Sequence, residues 1–114
     1  MYTMTPLQSS IWEFLCSRYT GAENAMPRAA ILARYNLLRV SELDDRTFRE
    51  TVSELVRLHK KAICTSPGRG YFVARTAREK DEAINYLKSA GAEIFERARD
   101  LEAADPLERQ ERLF

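Results

Sequence analysis

Two short runs rich in branched and aromatic residues, 62–66 and 70–74, are separated by Pro67-Gly68-Arg69. Proline presets the first central position of a type II turn and glycine supplies the positive φ of the second. The segment therefore predicts a β-hairpin with Arg69 near its tip. Apart from a short extended piece at Ala25-Met26 leading into Pro27, the other patterned stretches repeat their apolar residues at three and four, the helical period. The fold class is mainly α with a small β-hairpin.

The first helix begins at Thr5-Pro6-Leu7-Gln8, where Thr5 can cap, Pro6 suits the first helical position and Gln8 completes a capping box. Leu7, Ile11, Phe14 and Leu15 form its stripe, and Thr20-Gly21 stops it. Trp12, beside the stripe, reads as core or interface. A short second helix over 28–35 turns Ile31, Leu32 and Tyr35 inward. After a connection over 36–43, Asp44 caps a third helix running to about Lys60, with Leu43 and Phe48 set to form a hydrophobic staple. Phe48, Val52, Leu55 and Val56 are its expected buried stripe, leaving Arg46, Arg49, Glu50, Ser53 and Arg57 on the other face. Past the hairpin, Thr76-Ala-Arg-Glu79 is a second capping box. It opens a long helix to about Ala104 in which Gly91 marks a kink or a close helix crossing. Pro106 ends the pattern. The expected organisation is a domain over 1–76, a long helix over 77–104 and a flexible tail over 105–114.

A chain of 114 residues, 45% apolar and 31% charged, fits one soluble domain. With no signal-peptide pattern at the N-terminus and no long apolar run, a cytoplasmic location without membrane contact is expected. Two cysteines, Cys16 and Cys64, and one histidine, His59, form no C-x-x-C pair or metal-spaced cluster, so no metal, no cofactor and no thioredoxin-type chemistry is expected. A Cys64–His59 pair has no third orienting group, and 66–70 lacks the Gly-Lys-Ser/Thr ending of a phosphate loop. The chain reads as a non-enzyme. Its net charge of +1 hides an uneven distribution: residues 27–75 carry ten basic against five acidic side chains, and residues 76–114 carry seven against ten. A basic middle is the signature of an anion-binding face; ordinary surface charge is the plainer reading.

The order helix, extended piece, helix, helix, hairpin, long helix resembles a winged-helix domain, the helix-turn-helix variant whose hairpin is the wing. More narrowly, residues 45–55 (DRTFRETVSEL) followed by 63–74 (ICTSPGRGYFVA) look like small phage and prophage winged-helix proteins. The resemblance implies binding to double-stranded DNA, in transcriptional regulation or DNA replication, with the third helix in the major groove and the wing on the flank. Arg46, Arg49, Ser53, Arg57 and Lys60 would face DNA from the third helix. Arg28 would do so from the start of the second, and Arg69 from between the two wing glycines, which leave room for a phosphate or the minor groove. Helix-surface arginines also pair with acids, and Arg46 with Glu50, or Arg57 with Glu50 or Glu54, could be ordinary salt bridges. Winged helices also serve as protein-interaction adaptors without DNA, which is the alternative function.

Ile84, Leu87, Gly91, Ile94, Ala98 and Leu101 alternate spacings of three and four along the long helix, a coiled-coil seam that would make a homodimer through Ile84, Leu87, Ile94, Ala98 and Leu101 or else pack on the first helix. At the end of the chain, Gln110, Leu113 and Phe114 resemble the bacterial sliding-clamp-binding peptide, which implies a possible clamp partner for the tail. Glu111 stands where that peptide prefers leucine.

Overall fold

A computed structural model describes residues 3–39 and 42–107. The chain divides into two compact units, Met1–Ala83 and Ile84–Phe114. The described elements are α1 Pro6–Arg18, a 3-10 turn Ala22–Asn24, α2 Arg28–Leu37, α3 Asp45–Arg57, β1 Ile63–Ser66, β2 Gly70–Val73 and α4 Ala77–Ala103. The architecture is mainly helical, with a two-stranded antiparallel hairpin and a long C-terminal helix. No described helix is long and apolar enough to cross a membrane.

At the start of α1 the capping box closes in both directions: Gln8 N–H donates to Thr5 Oγ1 at 3.1 Å and Thr5 N–H to Gln8 Oε1 at 2.9 Å. Gln8 then reaches beyond its own helix. Its Nε2 donates to Glu54 at 3.1 Å, and its Oε1 lies 3.0 Å from Nε2 of His59. An amide oxygen only accepts, so in this arrangement His59 carries its proton on Nε2. A polar side chain that is 5% exposed thereby ties the first turn of α1 to the far end of α3.

The buried stripe of α3 is Phe48, Thr51, Val52 and Leu55, spaced i, i+3, i+4, i+7. Val56, expected inside, is 42% exposed. Thr51 takes the inner position without an unmet bond because its hydroxyl donates to Thr47 O at 2.7 Å. The helix also stops earlier than Lys60. That residue adopts φ 54, and Lys61 N–H donates back to Leu55 O at 3.0 Å, six residues earlier, as the left-handed residue turns the chain into β1.

Within the hairpin Ile63 faces Val73, Cys64 faces Phe72 and Thr65 faces Tyr71. The turn is the expected one, with Gly68 at φ 74 and Arg69 N–H donating to Ser66 O at 3.0 Å. The outer edge of β2 is covered by the 19–26 segment: Gly21 N–H donates to Val73 O at 2.8 Å, and Met26 and Tyr71 exchange both backbone bonds at 3.1 and 2.8 Å. That contact explains Gly70. At φ 116 it accommodates the backbone of Met26 and Pro27, which a Cβ would overlap. The glycine serves the fold's own backbone, a role the wing reading of two flanking glycines does not include.

Ile11, Leu15, Ile31, Phe48 and Leu55 fill the centre of the core, and the Phe14 ring packs edge-on against Tyr19 and Tyr35 at 5.8 and 5.3 Å. A second cluster joins Cys64 and Phe72 to Ala83 of α4. The first unit therefore continues past residue 76 and takes in the opening turns of α4. Those turns are fastened by Glu79, whose carboxylate accepts N–H groups of Ala22, Arg75 and Thr76 at 2.6, 2.7 and 3.3 Å. Gly91 lies inside the continuous helix α4, and among the described residues of the single chain a Cβ there would meet nothing within 4 Å.

Candidate nucleic-acid interface

The basic residues singled out in the sequence fall at the α2–α3 junction, along α3 and at the hairpin tip. Asp45, the first residue of α3, joins two of them. Arg28 Nε, at the start of α2, donates to Asp45 Oδ1 at 2.8 Å, and Arg49 Nε, one turn along α3, lies 3.1 Å from Oδ2. The phenol of Tyr71 on β2, and then Asp45, hold the Arg28 guanidinium more firmly protonated than usual. Helix α2, helix α3 and strand β2 thus meet around one guanidinium.

Arg46 pairs with Glu50 at 3.0 Å, again through Nε. The alternative read from the sequence for this arginine, an i,i+4 salt bridge, is what forms. Arg57 makes no ion pair among the described residues, although Glu50 and Glu54 lie near it around a shallow surface hollow that Ser53 completes. Lys60 donates from Nζ to Arg57 O at 3.0 Å, so its charge sits on the open C-terminal carbonyls of α3. Arg69 is exposed on the turn, with no ion-pair partner among the described residues.

Three residues of this surface were not singled out from the sequence. Asp45 looked like one more helix-opening acid, Tyr71 like a strand residue and Val56 like core. Tyr71 acquires its place because β2 lies against the segment leading into α2, and Asp45 because the start of α3 comes to the start of α2. Val56 could have been found by counting, since it follows Ser53 by three and Arg49 by seven and so shares their face.

The other candidates separate cleanly. Trp12 packs half-buried against the core with Lys61 Nζ 5.2 Å from its ring centroid. His59 is engaged by Gln8, and Cys64 directs its thiol at Ala62 O. Burial pushes both thiols above their ordinary pKa. Among the described residues no group of three or more His, Cys, Asp or Glu side chains could hold a metal ion. In the second unit the seam of α4 is open: Ile84, Leu87, Ile94 and Leu101 are 39%, 57%, 68% and 73% exposed, and Ala98 is exposed with them. Gln110, Leu113 and Phe114 lie outside the described residues.

No protein-family model, curated protein or solved structure matches this chain.

Proposed function

We propose that the chain is a non-enzymatic DNA-binding protein of winged-helix type, like those of phages and prophages, acting in transcriptional regulation or DNA replication. In this reading α3 enters the major groove and the Arg69 turn is the wing. The observation that carries it is the placement of Arg28 and Arg49 on one carboxylate, beside Arg46, on the side of α3 away from Phe48 and Leu55. Arg46 and Arg49 meet their carboxylates through Nε, and their terminal nitrogens are the donors they would offer to base edges or phosphates. These pairs are exposed to half-exposed and worth at most about 1 kcal/mol each, so exchanging a carboxylate for a phosphate costs little. The first turn of α2 has no side-chain cap, which leaves amide donors beside Arg28 for the same phosphate chain.

The deciding measurement is affinity for duplex DNA as a function of salt. Contact with about four to six phosphates gives a slope of log affinity against log salt near −4 to −5. No binding at low salt rejects the reading. The adaptor alternative gains from the same ion pairs, which satisfy the arginines internally. It expects a salt-independent protein partner, and a bacterial sliding clamp titrated with the intact chain and with one lacking Leu113 and Phe114 is its direct test. Equal, negligible signals remove the clamp from consideration.

A further inference from the structure

We infer that the second unit is a self-recognition surface: α4 pairs with α4 of a second copy of this chain, antiparallel, about a two-fold axis between residues 92 and 93. The inference is independent of the DNA reading. It starts from an unbroken helix whose seam is exposed and from the order of residue sizes along that seam. Ile84, Leu87, Gly91, Ile94, Ala98 and Leu101 span about 25 Å at 1.5 Å per residue.

Antiparallel pairing about that axis sets Ile84 opposite the partner's Leu101, Leu87 opposite the partner's Ala98 and Gly91 opposite the partner's Ile94. Two of the three layers then match a large side chain with a small one, and every layer occurs twice by symmetry. Parallel pairing would instead set Gly91 on Gly91 and Ala98 on Ala98, leaving voids between layers of paired isoleucine and paired leucine. Size thus selects the direction.

Charge selects it again. Residues 84–92 carry only Lys88, whereas residues 93–103 carry Glu93, Glu96, Asp100 and Glu102 against Arg97 and Arg99. Each half therefore meets the half of opposite sign in the antiparallel pair and its own sign in the parallel one. Phe95, 73% exposed in the single chain, falls beside the partner's Lys88, an ammonium placed to cover an aromatic face. Ala90, Glu93, Ile94 and Arg97 line a groove at i, i+3, i+4, i+7, the shape of hole that receives a side chain from a facing helix.

The test uses the full chain. Sedimentation should show twice the 13.2 kDa chain mass at about 100 µM, and Ile94→Glu, at an exposed position, should weaken association at least about tenfold while leaving circular dichroism and the melting transition unchanged. Direction is read by disulfide trapping in a Cys16→Ser, Cys64→Ala background. Leu87→Cys mixed with Ala98→Cys should give the mixed crosslinked dimer, and Leu87→Cys alone should give none. A monomer at 100 µM, an Ile94→Glu protein that still dimerises, or a Leu87→Cys chain that crosslinks to itself would each overturn the proposal.

Discussion

Glu79 accepts the backbone N–H of Ala22 at 2.6 Å across 57 residues of sequence, and the same carboxylate caps the start of α4. Arg75 completes the clasp by donating to Glu23 at 2.7 Å and to Thr20 O at 3.1 Å.

This clasp makes stability acid-sensitive. The N–H of Ala22, then that of Arg75, hold the Glu79 carboxyl below the usual carboxylate range; Glu23 is lowered by its own backbone N–H and then by Arg75, and Asp44 by the Thr47 hydroxyl. A pKa depressed on folding contributes stability that is complete above the unfolded value, roughly 4 for such groups, and is lost as pH falls through the folded value. The melting temperature should therefore be flat near neutrality and fall below about pH 4.5. Glu79→Gln should lower it at pH 7, with the gap to the parent narrowing in acid; thermal melts across that range check it.

Gly70 and Gly68 should respond very differently to alanine. At Gly70 the added Cβ overlaps the Met26 and Pro27 backbone at φ 116, whereas at Gly68 only the positive φ of 74 is at issue because nothing lies within 4 Å. Gly70→Ala should cost more than about 2 kcal/mol and Gly68→Ala about 1 kcal/mol, measured by denaturant unfolding. Equal losses would show that the Met26 contact does not confine this glycine.

For DNA, Arg49→Ala should weaken specific binding by about 1 to 3 kcal/mol while changing stability by less than about 0.5 kcal/mol, since only a half-exposed ion pair is lost. Arg69→Ala should weaken binding to all sequences alike. Asp45→Asn should do the reverse of Arg49→Ala, strengthening low-salt affinity about three- to tenfold by freeing Arg28 and Arg49 and removing a negative charge from the face. Fluorescence anisotropy with matched and scrambled duplexes separates these effects.

Both thiols should react more slowly with a disulfide reagent at pH 8 in the folded chain than in the unfolded one, because burial, partial for Cys16 and nearly complete for Cys64, pushes each thiol pKa up and shields the sulfur. Denaturant should release two rapid equivalents per chain. Fast native labelling of Cys64 would contradict its position between Phe72 and Ala83.

Local signals in this chain are legible where their chemistry is local. The Thr5/Gln8 and Thr76/Glu79 capping boxes and the Pro67-Gly68 turn involve partners within three residues, so residue type and spacing suffice to place them. Periodicity likewise marks Phe48, Val52 and Leu55 as one buried face. It does not decide which flanking residue joins them, because Val56 and Thr51 border the same stripe. The packing neighbours choose, and Thr51 goes in because Thr47 O can satisfy its hydroxyl.

What only tertiary structure decides is every contact between segments distant in sequence. Gln8 completes a cap by sequence logic, yet its bonds to Glu54 and His59 exist because α1 and α3 pack together. Gly70 reads as room for a phosphate beside the wing until the Met26 backbone is laid against it. Arg28 and Arg49 read as two independent cations until Asp45 and Tyr71 gather around the first of them. The physical reason is common to all three: spacing along a chain encodes hydrogen bonds within a turn or two, whereas a shared carboxylate, a buried amide or a backbone contact depends on where a second segment comes to rest.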